Sequence, residues 1–325
     1  MNLAMIEAAA KRLEGRARVT PLLSSPFLDE IAGRRVLVKA ECLQHTGSFK
    51  FRGGWAAVSA LDAQTRAKGV IAFSSGNHAQ GVAYAAQLHA IPSVIVMPKD
   101  APRLKIENTK ALGAEVVLYD RAGGEDRDAI GARIAAERGL TLIKPFDEPE
   151  VIAGQGTVGL EIAAQAVREG VAQAEVLVPC GGGGLTAGIA LALAAKAPGL
   201  RPRTVEPEGF DDVARSLQAG SIQTNPKASG SLCDAILTPA PGRITFPILA
   251  AHCAPGLAVS DDDALRAMAA AFARLKVVLE PGGAVALAAA LWQPEAIRGD
   301  AVIAVASGGN VDAELFRLAL ERHGG

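Results

Sequence analysis

Glu175-Val176-Leu177-Val178-Pro179-Cys180-Gly181-Gly182-Gly183-Gly184-Leu185 compresses a strand, a turn and a helix start into one short run. The β-branched residues predict a buried strand over Glu175–Pro179, and the Ala-rich residues Leu185–Ala195 predict a helix behind the glycines. Four glycines in a row let several amides converge on one anion at the positive end of that helix; a flexible hinge is the alternative reading. No Gly-Lys-Ser/Thr follows, and the acidic partner of a GxGxxG fingerprint is missing, so neither common nucleotide loop is present.

The same alternation extends in both directions. Further strands are predicted over Arg35–Lys39, Gly69–Phe73, Ser93–Met97, Glu115–Leu118, Arg203–Glu206 and Ala301–Ala306. Helices are predicted over Ala79–Leu88, Arg103–Leu112, Asp126–Arg138 and Ala313–Arg322. Strands separated by helices imply βαβ units and a mostly parallel sheet, so the fold class is α/β. At 325 residues the chain is long for one core, and two lobes flanking a cleft are expected. The stretch from Gly69 to Pro145 holds three compact strand-plus-helix units and could form the smaller lobe.

Half of the residues are apolar, and 33 Lys plus Arg stand against 34 Asp plus Glu without long runs of one sign. That balance argues against a nucleic-acid or membrane partner. The four cysteines are scattered without metal-type spacing, as suits reduced thiols in a cytoplasmic protein. Residues Met1–Gly15 read as an amphipathic helix interrupted by charges instead of a signal peptide.

Three more motifs carry chemistry. Gly47-Ser48-Phe49-Lys50-Phe51-Arg52-Gly53-Gly54 sets one lysine between two aromatics; desolvation there would lower its pKa and make the amine a nucleophile or base, whereas an ordinary helix start would leave it in solvent. Ser74-Ser75-Gly76-Asn77-His78 follows a strand and offers amides, hydroxyls and a carboxamide to a carboxylate, or simply caps a helix. Ser307-Gly308-Gly309-Asn310 ends the strand at Ala306, where ligands of open α/β sheets bind.

Together these motifs resemble the fold type II pyridoxal-phosphate enzymes, in the branch of serine/threonine dehydratases and serine racemase. SFKFRG, SSGNHAQG, PFDEPEVIAGQGT, VPCGGGGL, EPEG, LEPGGAVALAA and SGGN appear in the family's order along nearly the whole chain. The resemblance implies a two-lobed, tryptophan synthase β-like fold with parallel sheets flanked by helices and the cofactor in the cleft. Residues 1–62 with 147–325 would form a discontinuous large cofactor-binding domain, and 63–146 a small substrate-gripping one. Lys50 would carry pyridoxal 5'-phosphate as a Schiff base and remove the Cα proton. Phe49 would pack on the ring, Asn77 would bond the phenolic oxygen, Gly181, Gly182, Gly183, Gly184 and Leu185 would cradle the phosphate, and Ser307 would face the pyridine nitrogen. Ser74, Ser75, Gly76, Asn77 and His78 would grip the substrate carboxylate.

The implied activity is removal of water from serine, threonine or 3-hydroxyaspartate to give a keto acid and ammonia. Ser75, with a hydroxyl on the face opposite Lys50, keeps racemisation open. A β-replacement synthase and a non-catalytic amino-acid-binding protein are further alternatives. By the same resemblance Glu206, Asp212 and the Phe210 carbonyl would ligate magnesium, manganese or calcium, the alternative being a solvated acidic loop. By the same resemblance Arg127 could receive a second substrate carboxylate, the alternative being an exposed helix arginine. Ala235 stands after Cys233-Asp234 where the family usually has glycine, so the pocket near the β-carbon is expected to differ. A homodimer is expected from the relatives.

Overall fold

The computed structural model describes residues 1–324 apart from Ser75, Pro102, Arg121 and Ala122, and for Leu104 the backbone alone. Among the described residues ten strands form two sheets: β1 (Leu22–Ser24), β2 (Arg35–Ala40), β3 (Val70–Phe73), β4 (Ser93–Pro98), β5 (Glu115–Tyr119), β6 (Thr141–Leu142), β7 (Ala174–Pro179), β8 (Leu200–Pro207), β9 (Ala254–Val259) and β10 (Ala301–Ala306). One sheet runs β1-β2-β10-β7-β8-β9 and the other β5-β4-β3-β6. Every pairing is parallel except β1 with β2. The α/β class with parallel sheets flanked by helices is therefore the observed one.

The strands missed in the sequence are β1, β6 and β9. All three lie at sheet edges. Pro255 and Gly256 make Ala254–Val259 read as a turn, yet an edge tolerates proline, and a register shift beside Arg203 and Val205 absorbs the irregularity. The central strands β2, β7 and β10 are almost wholly buried; β10 reads as a continuous apolar run, while β2 and β7 carry an apolar centre beside Arg35 and Lys39 and beside Glu175. The amphipathic N-terminus forms the helix Leu3–Leu13, burying Ile6, Ala9 and Leu13.

Close helix packing sets the geometry near the lysine motif. Helix Lys50–Ala60 meets helix Asn77–Leu88 backbone to backbone: a Cβ built at Gly81 would lie 2.8 Å from the Lys50 carbonyl carbon, and one at Gly54 would lie 2.9 Å from that of Gly81. Helices Pro149–Arg168 and Gly184–Lys196 cross as tightly, since a Cβ at Gly188 would fall 2.5 Å from the Gly156 amide. Glycine is required at these crossings for lack of room, not for its flexibility.

A buried ionic cluster ties the lysine helix to the larger sheet. The Arg52 guanidinium, 1% exposed, donates from Nε and Nη2 to the Glu41 carboxylate at 2.8 Å each and from Nη1 to Glu161 at 2.7 Å. Lys39 supplies the second cation, 2.5 Å from Glu161. Burial alone would raise the Glu41 carboxyl, but Arg52 and then Lys39 outweigh it and hold the group below its usual range.

Candidate active site

Lys50 opens its helix just after Phe49, which hydrogen-bonds back to the turn ending β10. The Phe49 amide donates to the Ser307 carbonyl at 3.1 Å, and Gly309 donates to Gly47 at 2.9 Å. Ser48 and Gly308 form an antiparallel bridge. Two motifs from opposite ends of the chain thus share one backbone ladder. The Lys50 Nζ turns inward, donating to the Pro145 carbonyl at 2.8 Å and lying 5.2 Å from the Phe49 ring centroid. Desolvation brings its pKa down to about 8, against a smaller opposing pull from Glu280. The residue is half-buried, with its amine engaged on the inner side by that carbonyl.

Asn77 sits at the start of its helix and joins three segments. Its Nδ2 donates to Glu280 Oε1 at 2.6 Å, and its Oδ1 accepts from Asn310 Nδ2 at 2.7 Å. Asn310 also donates to the Thr46 carbonyl. Glu280 is 5% exposed, and burial pushes its carboxyl up to about 7 despite the Asn77 hydrogen bond. Its role was missed in the sequence. The available signal was a lone carboxylate preceding Pro281-Gly282-Gly283 and a wholly apolar helix, Pro281–Trp292.

The glycine run follows β7 and leads into helix Gly184–Lys196, with Gly183 at φ +89°. A Cβ at Gly182 would lie 2.2 Å from the Phe146 ring, and one at Gly181 would lie 3.1 Å from the Ile236 carbonyl. The Thr245 hydroxyl and the Gly242 amide fasten the loop by donating to the Gly182 carbonyl at 2.7 and 3.1 Å. The first amides of a helix have no intrahelical acceptor and attract anions. A side-chain-free cradle of this kind, beside an enclosed amine of lowered pKa, fits an aldehyde that carries a phosphate. Ser307, 4% exposed, and the unpartnered buried hydroxyl of Ser48 belong to the paired turns that lead into Lys50.

The remaining candidate residues fall in different surroundings. The Ser74 hydroxyl accepts from the Gly76 amide at 3.2 Å, and Ser75 lies outside the described residues. His78 is buried, with Nε2 2.9 Å from the Ile143 carbonyl; burial first, and then Lys50, bring its pKa down to about 3. The ring is therefore neutral, and Nε2 carries the proton because its partner is a carbonyl. Arg127 opens the helix Arg127–Arg138, its side chain 54% exposed and 3.6 Å from Asp128, and no hydrogen bond or ion pair found for it joins it to the group around Lys50.

Glu206 and Asp212 are 0% and 1% exposed, which overturns the solvated-loop alternative. The Glu206 oxygens accept from the Val213 and Ala214 amides at 2.8 Å each, capping a helix, while Asp212 accepts from Asn225 through Oδ1 and leaves Oδ2 buried without a partner. Burial raises Glu206 well above the carboxylate range and Asp212 to about 6. Among the described residues no group of three His, Cys, Asp or Glu side chains could hold a metal.

An α/β frame presenting an enclosed lysine amine to a glycine cradle is the architecture of enzymes that hold a phosphorylated aldehyde covalently. The chain belongs to the pyridoxal-phosphate dependent enzymes, whose family model matches residues 13–308. It is 44% identical over 314 residues to an L-threo-3-hydroxyaspartate ammonia-lyase of Pseudomonas sp, covering 96% of each chain. Among solved structures, a threonine deaminase from T.th. superposes with a TM-score of 0.90 at 45% identity, covering 96% of this chain and 99% of that one. A maize serine racemase gives 0.90 at 36% identity, covering 99% and 97%. No helix among the described residues is long and apolar enough to cross a membrane.

Proposed function

We propose that the protein is a pyridoxal-phosphate-dependent ammonia-lyase that removes water from a small β-hydroxy amino acid and releases a keto acid and ammonia. The observation carrying this reading is the inward-turned Lys50 amine, 2.8 Å from the Pro145 carbonyl and, among the described residues, with no carboxylate at hydrogen-bond distance. A fall in pKa from 10.5 to about 8 raises the neutral fraction at pH 7.5 from roughly 0.1% to about 25%.

Bound there, pyridoxal phosphate supplies an electron sink that acidifies the Cα–H of an amino acid. Lys50 would hold it and then take the Cα proton, the Gly181–Leu185 amides would receive its phosphate, Phe49 would pack on its ring, and Asn77 and Ser307 would flank it. Ser74 to His78 would orient the substrate carboxylate so that the Cα–H faces the amine. His78, neutral and engaged with a carbonyl, stays out of the proton transfers. The electron pair left by the Cα proton would form the Cα–Cβ double bond as the Cβ–O bond breaks, the hydroxyl leaving as water with a proton that balances the one taken by Lys50, and the released enamine would become an imine that water hydrolyses to keto acid and ammonia.

Kinship with a hydroxyaspartate ammonia-lyase and a threonine deaminase supports deamination over β-replacement or mere binding. Racemisation is the second reading, favoured by the maize serine racemase likeness and by the serine at position 75. We also propose residues 1–62 with 147–325 as the larger domain and 63–146 as the smaller; the separate four-stranded sheet supports this division. A divalent cation at Glu206, Asp212 and the Phe210 carbonyl is supported by the unpartnered Asp212 oxygen. A cytoplasmic homodimer completes the proposal, resting on family likeness and balanced charge.

The test is a panel of L- and D-serine, L-threonine and the 3-hydroxyaspartate isomers, assayed for ammonia and keto acid with the parent and Lys50→Ala. Deamination by the parent is expected, with a loss of at least about a thousandfold in the variant. Borohydride should fix the cofactor on the Lys50 peptide of the parent alone. Undiminished turnover by Lys50→Ala would refute the reading. Ser75→Ala should abolish any Cα inversion while sparing elimination.

A further inference from the structure

We propose that Lys105 receives the side-chain carboxylate of a dicarboxylic hydroxy amino acid, exchanging Asp234 for the substrate. The inference rests on the ammonia-lyase reading and adds the class of substrate preferred. Lys105 lies on helix Arg103–Ala111 beside the four-stranded sheet, and its side chain is only 18% exposed. It reaches across to the turn Asp234–Ile236, with Nζ 3.4 Å from Asp234 Oδ2.

That turn is a wall of the lysine recess. The Ile236 carbonyl presses on Gly181, and Ala235 and Ile236 both border Gly282, next but one to Glu280. Asp234, Lys105 and Lys50 all act electrostatically on the buried Glu280 carboxyl, in keeping with the contacts that this turn makes at Gly181 and Gly282. A substrate held near Lys50 by its α-carboxylate would extend its β-substituent toward this wall. A second carboxylate entering there without a cation would carry a large desolvation cost. Arg127 is turned to Asp128 and half exposed, whereas Lys105 is already aimed across the recess.

Asp234 is a weak holder of this lysine. The pair is long, at 3.4 Å, and the Asp234 side chain is 66% exposed, so water screens it and the pair contributes little. An incoming carboxylate can displace it, and Asp234 rehydrates where it stands. Serine or threonine brings no such group and leaves the pair intact.

The experiment compares holoenzymes of the parent, Lys105→Met, Lys105→Arg and Asp234→Asn on L-threo-3-hydroxyaspartate and L-serine, with succinate and butyrate as inhibitors. In Lys105→Met the hydroxyaspartate-to-serine ratio of kcat/KM should fall about ten- to a hundredfold, the effect of one charge-assisted hydrogen bond, and mainly through KM. Succinate inhibition should weaken in parallel and butyrate inhibition should not; Lys105→Arg should retain most of the ratio, and Asp234→Asn should raise it. The last variant, at an exposed position, keeps the test readable if Lys105→Met folds poorly. A ratio within twofold of the parent in Lys105→Met, or equal losses on both substrates, overturns the proposal. If the parent deaminates serine but not hydroxyaspartate, the inference falls while the ammonia-lyase reading stands; if it deaminates nothing and takes up no cofactor, that reading falls first.

Discussion

Replacing Arg52 by methionine would remove the cation that holds the buried Glu41 carboxylate and the partly buried Glu161 beneath the lysine helix. Arg52 makes bidentate contact with Glu41, itself 0% exposed, and reaches Glu161 with the same fork. Methionine fills part of the volume but leaves Glu41 with no direct cation, since Lys39 hydrogen-bonds Glu161 instead. Breaking a buried pair from one side costs about 3–5 kcal/mol. At roughly 2 °C per kcal/mol for a chain of this size, the unfolding midpoint at pH 8 should drop by about 6–10 °C.

The loss should depend on pH, with a sign the structure dictates. In the parent, Glu41 titrates below its usual 4.5, so its contribution to stability is present above that value and lost only as pH falls through the depressed pKa. Without Arg52, burial dominates and raises the group, which then takes up a proton on moderate acidification. The deficit of Arg52→Met should therefore be largest near pH 8 and shrink toward pH 5.5. Thermal unfolding followed by circular dichroism at both pH values reads this directly. A midpoint within about 2 °C of the parent at pH 8, or a deficit that does not change with pH, would refute the electrostatic account of the cluster.

Gly81→Ala should separate Lys50 from Asn77, because the added methyl meets backbone that cannot rotate away. A loss of about 1–3 kcal/mol in stability and a fall of roughly a hundredfold in kcat are expected, from denaturant titration and steady-state assay; normal values in both would show that the helices can part. Chelation of divalent cations should lower the unfolding midpoint, with magnesium restoring it, and Asp212→Asn should remove that response. A chelator that leaves the midpoint unmoved in the parent would sink the cation proposal.

Much of the architecture was legible in sequence because its signals are local. Strand β10 is a continuous apolar run, β2 and β7 have β-branched apolar centres, and the glycine turn before Leu185 marks a strand-to-helix junction. The lysine between Phe49 and Phe51 marked the reactive group, and the order of motifs identified the family. Residue types along the chain suffice wherever the physical cause lies within a few residues, as with burial patterning, capping and turn chemistry.

What only tertiary structure decided concerns groups that meet across long loops. Glu280 looks like an ordinary helix-start carboxylate until folding buries it against Asn77, where loss of solvent pushes its pKa up to about 7. Lys105 and Asp234, 129 residues apart, become partners across a recess that neither segment encodes alone. The edge strand Ala254–Val259 forms despite its own Pro-Gly because β8 presents an unpaired edge to it. Pairing, desolvation and electric field depend on distances in space, and these are set by the packing of helices and sheets as a whole.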